Sequence, residues 1–203
     1  MPPFEHSGKH NQMRQRLAQL AARLMAEDGI LDYDTAKRKA ARQSGAPDTH
    51  NLPTNSEVER ELRVYQALFQ GDEQAERLHT LRTQALQAMH LLQDFSPSLT
   101  GAVLDGTAAR HSSIDLHVFA NSLKDVELFL LNRKIPYAAT ERRFRFGDEG
   151  RMIPVLILEG NPSEIELAVF SVDDLRQAPR SPVGGKAMER AKAQQVQALL
   201  ETA

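Results

Sequence analysis

The run SSIDLHVF, residues 112–119, alternates polar and apolar side chains. At a period of two, Ile114, Leu116 and Val118 fall on one face of a strand, with Ser113, Asp115 and His117 on the other. A second alternating run, EIELAVFS, places Glu166 between Ile165 and Leu167. Two carboxylates on adjacent strands repel each other unless water or a cation stands between them. Mg²⁺ suits such a pair, because it takes one or two protein carboxylates and completes its shell with phosphate oxygens and water. Upstream, Gly106-Thr107 forms a small turn where backbone amides can approach a phosphate. Together these are the parts of phosphoryl or nucleotidyl transfer. The metal, held by Asp115 and Glu166, offsets charge on the triphosphate. The turn holds its tail, and a carboxylate orients or deprotonates the acceptor hydroxyl. His117 reads as a partner for a neighbouring carboxylate more readily than as a ligand.

Other residues have two readings. ERRFRF, residues 141–146, puts Arg143 and Arg145 on one face and Arg142, Phe144 and Phe146 on the other. Arg143 and Arg145 either hold a triphosphate or protect an edge strand by charge. Lys37, Arg38, Lys39 and Arg42 form a basic run that is either a solvated helix face or a contact for the phosphates of RNA.

The elements that position these groups change character midway. Apolar residues at helical spacing predict helices over 12–29, 32–45, 56–69 and 72–95. Ser56 and Glu59 have the spacing of a capping box for the third of these. Residues 46–54 read as a loop by their prolines and Asx residues. After Pro97, strands are predicted at 99–106, 112–120, 137–146, 152–160 and 164–171, with a helix at 122–135 and a closing helix at 186–201. Residues 152–160 are apolar on both faces, which suits a central strand. The expected class is α+β: a helical N-terminal half, then a mixed sheet of about five strands with flanking helices. The divisions fall at 1–70, 71–175 and a C-terminal loop and helix over 176–203.

The strand, small-residue turn, spacer and S-S-I-D-L, followed by a helix and a late acidic strand, resemble the nucleotidyltransferase fold of the polymerase-β superfamily over roughly residues 73–171. The resemblance implies Mg²⁺, an NTP substrate and an acceptor that the residues do not name. It also implies that Gly106-Thr107 takes the Gly-Ser role, Asp115 that of the second acid and Glu166 that of the third. Gly101-Ala102 is a rival for the turn. Ser113 stands where the family carries its first acid. Two outcomes follow: a transferase working with Ser113, Asp115 and Glu166, or a catalytically degenerate member that binds a nucleotide, RNA or a protein. Blocks such as AEDGILDYDTAKRKAARQ also resemble short proteobacterial chains bearing the label UDP-N-acetylmuramate–alanine ligase. That chemistry finds no Gly-x-x-x-x-Gly-Lys-Ser/Thr loop here.

Bulk properties narrow the remaining classes. The net charge is −2 and the pI about 6.4, so nothing global attracts nucleic acid or an anionic membrane. Cysteine is absent, which excludes disulfides, thiol catalysis and Cys-ligated zinc and fits a cytoplasmic chain. The polar start, MPPFEHSGKHNQMRQR, does not read as a signal peptide, and no window reaches the ~18 apolar residues of a membrane span. Apolar residues make up 41%, enough for an ordinary core.

Overall fold

The computed structural model describes residues 4–47 and 50–201, with side chains from residue 11 onward. The loop expected over 46–54 therefore includes two positions, Asp48 and Thr49, that lie outside the described residues. The chain forms two compact units.

The first unit runs to Gln74 and takes in the short returns Ala109–His111 and Pro182–Gly184. Its helices are α1 (Phe4–Asp28), α2 (Tyr33–Gln43) and α3 (Asn55–Phe69). Leu17, Ala18, Ala21, Ala22 and Met25 of α1 bury one stripe against Ala36, Ala40 and Ala41 of α2 and Val58 and Leu62 of α3. The many alanines let helix axes approach closely. The capping box lies two residues before its expected place. Thr54 caps α3, and Glu57 reaches back to it. Both pairs have the Ser/Thr-x-x-Glu spacing, and Glu57 also receives Arg14, which holds the box at the earlier position.

The second unit comprises Ala75–Ala108, Ser112–Ser181 and Gly185–Ala203. It contains most of α4 (Gly71–Leu91), then β1 (Ser98–Thr100), α5 (Gly101–Asp105), β2 (Ile114–Ala120), α6 (Leu123–Asn132), β3 (Tyr137–Phe146), β4 (Glu149–Leu158), β5 (Ile165–Ser171) and α7 (Ala193–Glu201). The sheet order is β1-β2-β5-β4-β3. The β2–β5 pair is parallel and the other three pairs are antiparallel. The α+β class with a five-stranded mixed sheet is therefore as the residues imply.

Ile114, Leu116 and Val118 of β2, Leu156 of β4 and Leu167 of β5 pack against Leu81, Ala85 and Met89 of α4, Val126 and Leu130 of α6, and Val196 of α7. Each such side chain contributes roughly 1.5–3 kcal/mol by leaving water. On the opposite face, Phe119, Phe144, Phe146, Ile153, Val155 and Phe170 form a smaller apolar cluster toward one end of the strands. The other end of that face carries the acids.

Three expected boundaries are corrected. Residues 99–106 are not one strand, because only 98–100 are extended and α5 follows at once. Ala102, Val103 and Leu104 suit either state, and Val103 is buried as one side of a helical turn. The closing helix begins at Ala193, not at 186, because Ala187 and Ala191 are engaged in β-bridges. The first helix starts earlier than residue 12. No helix among the described residues is long and apolar enough to cross a membrane.

Candidate functional site

Parallel pairing of β2 with β5 sets Asp115 directly opposite Glu166, and His117 opposite Ala168. Alternation then gives Asp115 and Glu166 the same face, the one turned away from α4 and α6. Two residues remote in sequence thus stand side by side. Asp115 is 29% exposed and Glu166 16%.

The group between them is Arg142 of β3. Its Nη1 donates to Asp115 Oδ1 at 3.1 Å and its Nη2 donates to Glu166 Oε2. The guanidinium reaches across β4 to do so, and its outer part stays 46% exposed. Burial pushes the Asp115 carboxyl above the usual range, and Arg142 pulls it back down. One delocalised cation that donates to two carboxylates satisfies the repulsion of the pair.

Gly101 lies on the same side. Its φ of +68° is a left-handed conformation open to glycine, and an added Cβ would stand 2.9 Å from Asp115 Oδ2. The glycine that closes on the acid is therefore Gly101, after β1, and not Gly106. Gly106 sits at the opposite end of α5, where φ is +81° and it caps the C-terminus. A helix C-terminus presents carbonyls, the wrong polarity for phosphate. Here Arg82 serves those carbonyls, donating to Val103 O and Leu104 O at 3.2 and 3.3 Å. Thr107 is buried, and its amide donates to Ala102 O. Gly106 and Thr107 thus lie at the far end of α5 from Asp115, with the Thr107 amide already engaged. Arg143 and Arg145 are likewise not brought to the acids. Both are exposed and fall on the other face of β3, opposite Met152 and Gly150 of β4. Ser113 is half-buried in the residues just before β2.

His117 does not partner a carboxylate. It is 2% exposed, lies edge-on to Phe144 and tilted on Phe170, and accepts at Nδ1 from Arg190 Nε at 3.1 Å. Burial, with Arg190 and Arg142 nearby, holds its pKa down to about 3. The imidazole is therefore neutral, with its proton on Nε2.

Arg190 arrives by a route that pattern reading missed. Leu99 and Ala191 exchange two backbone hydrogen bonds, so residues 190–192 lie alongside β1. Leu99 and Ala191 join the helix-side core, which turns Arg190 and Lys192 to the face of Ser98, Thr100, His117 and Asp115. Both cations lie beside the Phe119 ring, at 4.9 and 5.8 Å from its centroid. In sequence they look like part of a helix.

The basic run on α2 is largely occupied within its own unit. Lys37 is buried and binds Asp34 and Asn55, and Lys39 pairs with Asp28. Arg38 and Arg42 are exposed.

No protein-family model and no curated protein matches the chain.

The nucleotidyltransferase resemblance implies Mg²⁺ at these acids. Among the described residues two carboxylates meet here, with Ser113 where the family carries its first acid, and Arg142 donates to both. With Arg142 seated, the pair offers no open cation position.

Proposed function

We propose that this chain is a nucleotidyltransferase-fold protein that binds a nucleotide without transferring it. One observation carries the reading: Arg142 donates to both Asp115 and Glu166. It supplies from within the chain the charge balance a metal would otherwise bring. The order β1, Gly101, α5, β2, with two acids in register, supports the fold relationship. The absence of cysteine supports a cytoplasmic setting.

Thermal shift with each NTP, with and without Mg²⁺, tests it. The expected result is stabilisation by at least one NTP that is unchanged by Mg²⁺. No stabilisation by any NTP rejects the nucleotide reading.

A second reading, Mg²⁺-dependent transfer to an acceptor, has one observation in its favour. Arg142 is half-exposed and can leave the pair without unpacking the core. Labelled-NTP transfer to cell extract decides between the two. Label that appears with the wild type and disappears in Asp115→Asn selects the transferase.

A further inference from the structure

Ser98 is 1% exposed, and its Oγ has no hydrogen-bond partner among the described residues. Arg190 Nη2 is also buried and unpartnered. Its other nitrogens are engaged, Nε with His117 Nδ1 and Nη1 with the carbonyls of Asp174 and Leu175. Buried polar groups are almost always paired, so two orphans on one patch of sheet call for an occupant.

The register brings them together. Ser98 stands opposite His117 across β1 and β2, and the Leu99–Ala191 bridge sets Lys192 beside Ser98 on the other flank. Lys192 donates to Ser96 O at 2.9 Å, which leaves two of its three donors. The set is then Ser98 Oγ–H, Arg190 Nη2 and Lys192 Nζ, with His117 holding the Arg190 guanidinium in place through Nδ1. Arg190 and Lys192 only donate, and the Ser98 hydroxyl can donate as well as accept. No carboxylate among the described residues pairs with Arg190 or Lys192. The nearby acids are committed, Asp115 and Glu166 to Arg142, and Asp174 to Arg151. Burial disfavours the charged form of both Arg190 and Lys192, and a bound anion would offset that cost. Phe119 and Phe170 under the Arg190 guanidinium form a low-dielectric wall that strengthens any charge interaction there.

We propose that Ser98, Arg190 and Lys192 form a binding site for an oxyanion, phosphate or carboxylate, on the sheet face beside the acid pair, with His117 positioning Arg190. Two cations without a carboxylate partner, beside a hydroxyl free to donate, fit a ligand that accepts. The exposed Lys192 is the side from which it enters. The site does not depend on the nucleotide reading and is tested without a nucleoside.

The experiment is a titration of the full chain with inorganic phosphate and, separately, with acetate, at constant ionic strength, followed by thermal shift and calorimetry. It uses Ser98→Ala and Lys192→Gln. Arg190 is left intact because it also holds the 174–175 carbonyls. At least one anion is expected to raise the Tm of the wild type. Ser98→Ala should weaken that anion about tenfold, the weight of one hydrogen bond to a charged group, without lowering the ligand-free Tm. Lys192→Gln should weaken it severalfold. Preference for phosphate or acetate identifies the source of the oxyanion. The proposal is overturned if neither anion stabilises the wild type, or if both variants bind as the wild type does.

Discussion

Asp115 and Glu166 stand side by side on parallel strands, and a single guanidinium closes the gap between them. Arg142→Ala removes that cation and leaves two recessed carboxylates facing each other. Arg142 is half-exposed, so the expected loss at pH 7 is about 1–2 kcal/mol, less than for a fully buried pair. The sign of its pH dependence follows from Asp115, whose folded pKa is already raised by burial and rises further without the arginine. A raised folded pKa gives stability that is present below the unfolded value and lost as pH climbs through the folded one. The deficit of the variant should therefore shrink on acidification from pH 7. Urea unfolding at several pH values checks this. Adding Mg²⁺ should stabilise Arg142→Ala and leave the wild type unmoved. An equal response in both removes the role given to Arg142.

Gly101 and Gly106 bound the same short helix and both take positive φ, yet they are not equivalent. Alanine at Gly106 meets only ordinary contacts, 3.8 Å or more away. Its cost is the left-handed backbone, about 1–2 kcal/mol. Alanine at Gly101 carries the same backbone cost and also pushes on the Asp115 carboxylate. Gly101→Ala should be the more destabilising by at least about 1 kcal/mol, since the neighbour it displaces is an ion-paired acid. Denaturant melts of the two variants decide it. Equal losses would place the close approach elsewhere.

The facing acids were legible because period-two alternation is a local property. Ile114, Leu116 and Val118 declare which side of β2 is buried, and Ile165 and Leu167 do the same for β5. That the two strands are neighbours is not written locally, and only the family resemblance suggested it. Arg142 was placed correctly on the face of Phe144 and Phe146 but not connected to the acids. Nothing in ERRFRF says that a long side chain will cross β4. AVLD is a better strand by composition than SPSL, which favours Gly106 over Gly101 as the turn. Tertiary packing overrode that preference: Leu99 pairs on both sides, while Val103 is buried on a helical turn. Arg190 was missed because KAMERAKA has helical composition, and a β-bridge to Leu99 is a long-range fact.

His117 supplies the clearest pH dependence. Its folded pKa of about 3 lies below the ordinary 6.5, so the folded state needs the neutral ring. The stability this contributes is complete above about pH 6.5 and is lost as pH falls toward 3. The slope is about 1.4 kcal/mol per pH unit for one proton. His117→Phe keeps the stacking on Phe170 but leaves Arg190 Nε without its acceptor. The variant should be weaker than the wild type at pH 7.5 by about 1–3 kcal/mol. It should also lose the extra slope between pH 6 and pH 4. A wild-type slope that persists in His117→Phe would assign the titration to another group.

Glu57 does in the first unit what Arg142 does in the second: one side chain joins two elements. Its carboxylate accepts from Arg14 Nε and Nη2 on α1, at 2.9 and 2.8 Å, and from the Thr54 amide at the start of α3, at 2.6 Å. Arg14, more than the capping contacts, holds its pKa down to about 2. A depressed carboxyl pKa means stability present above the ordinary value of 4.5 and lost as pH falls toward 2. Glu57→Gln preserves the shape and the reach to Thr54 but removes the charge. It should cost about 1 kcal/mol at pH 7, the range of a partly exposed bidentate pair with a helix cap. At pH 2 it should melt with the wild type. Thermal melts followed by helical circular dichroism at both pH values test this. A deficit that is the same at pH 2 as at pH 7 would mean that the loss does not come from the carboxylate's charge.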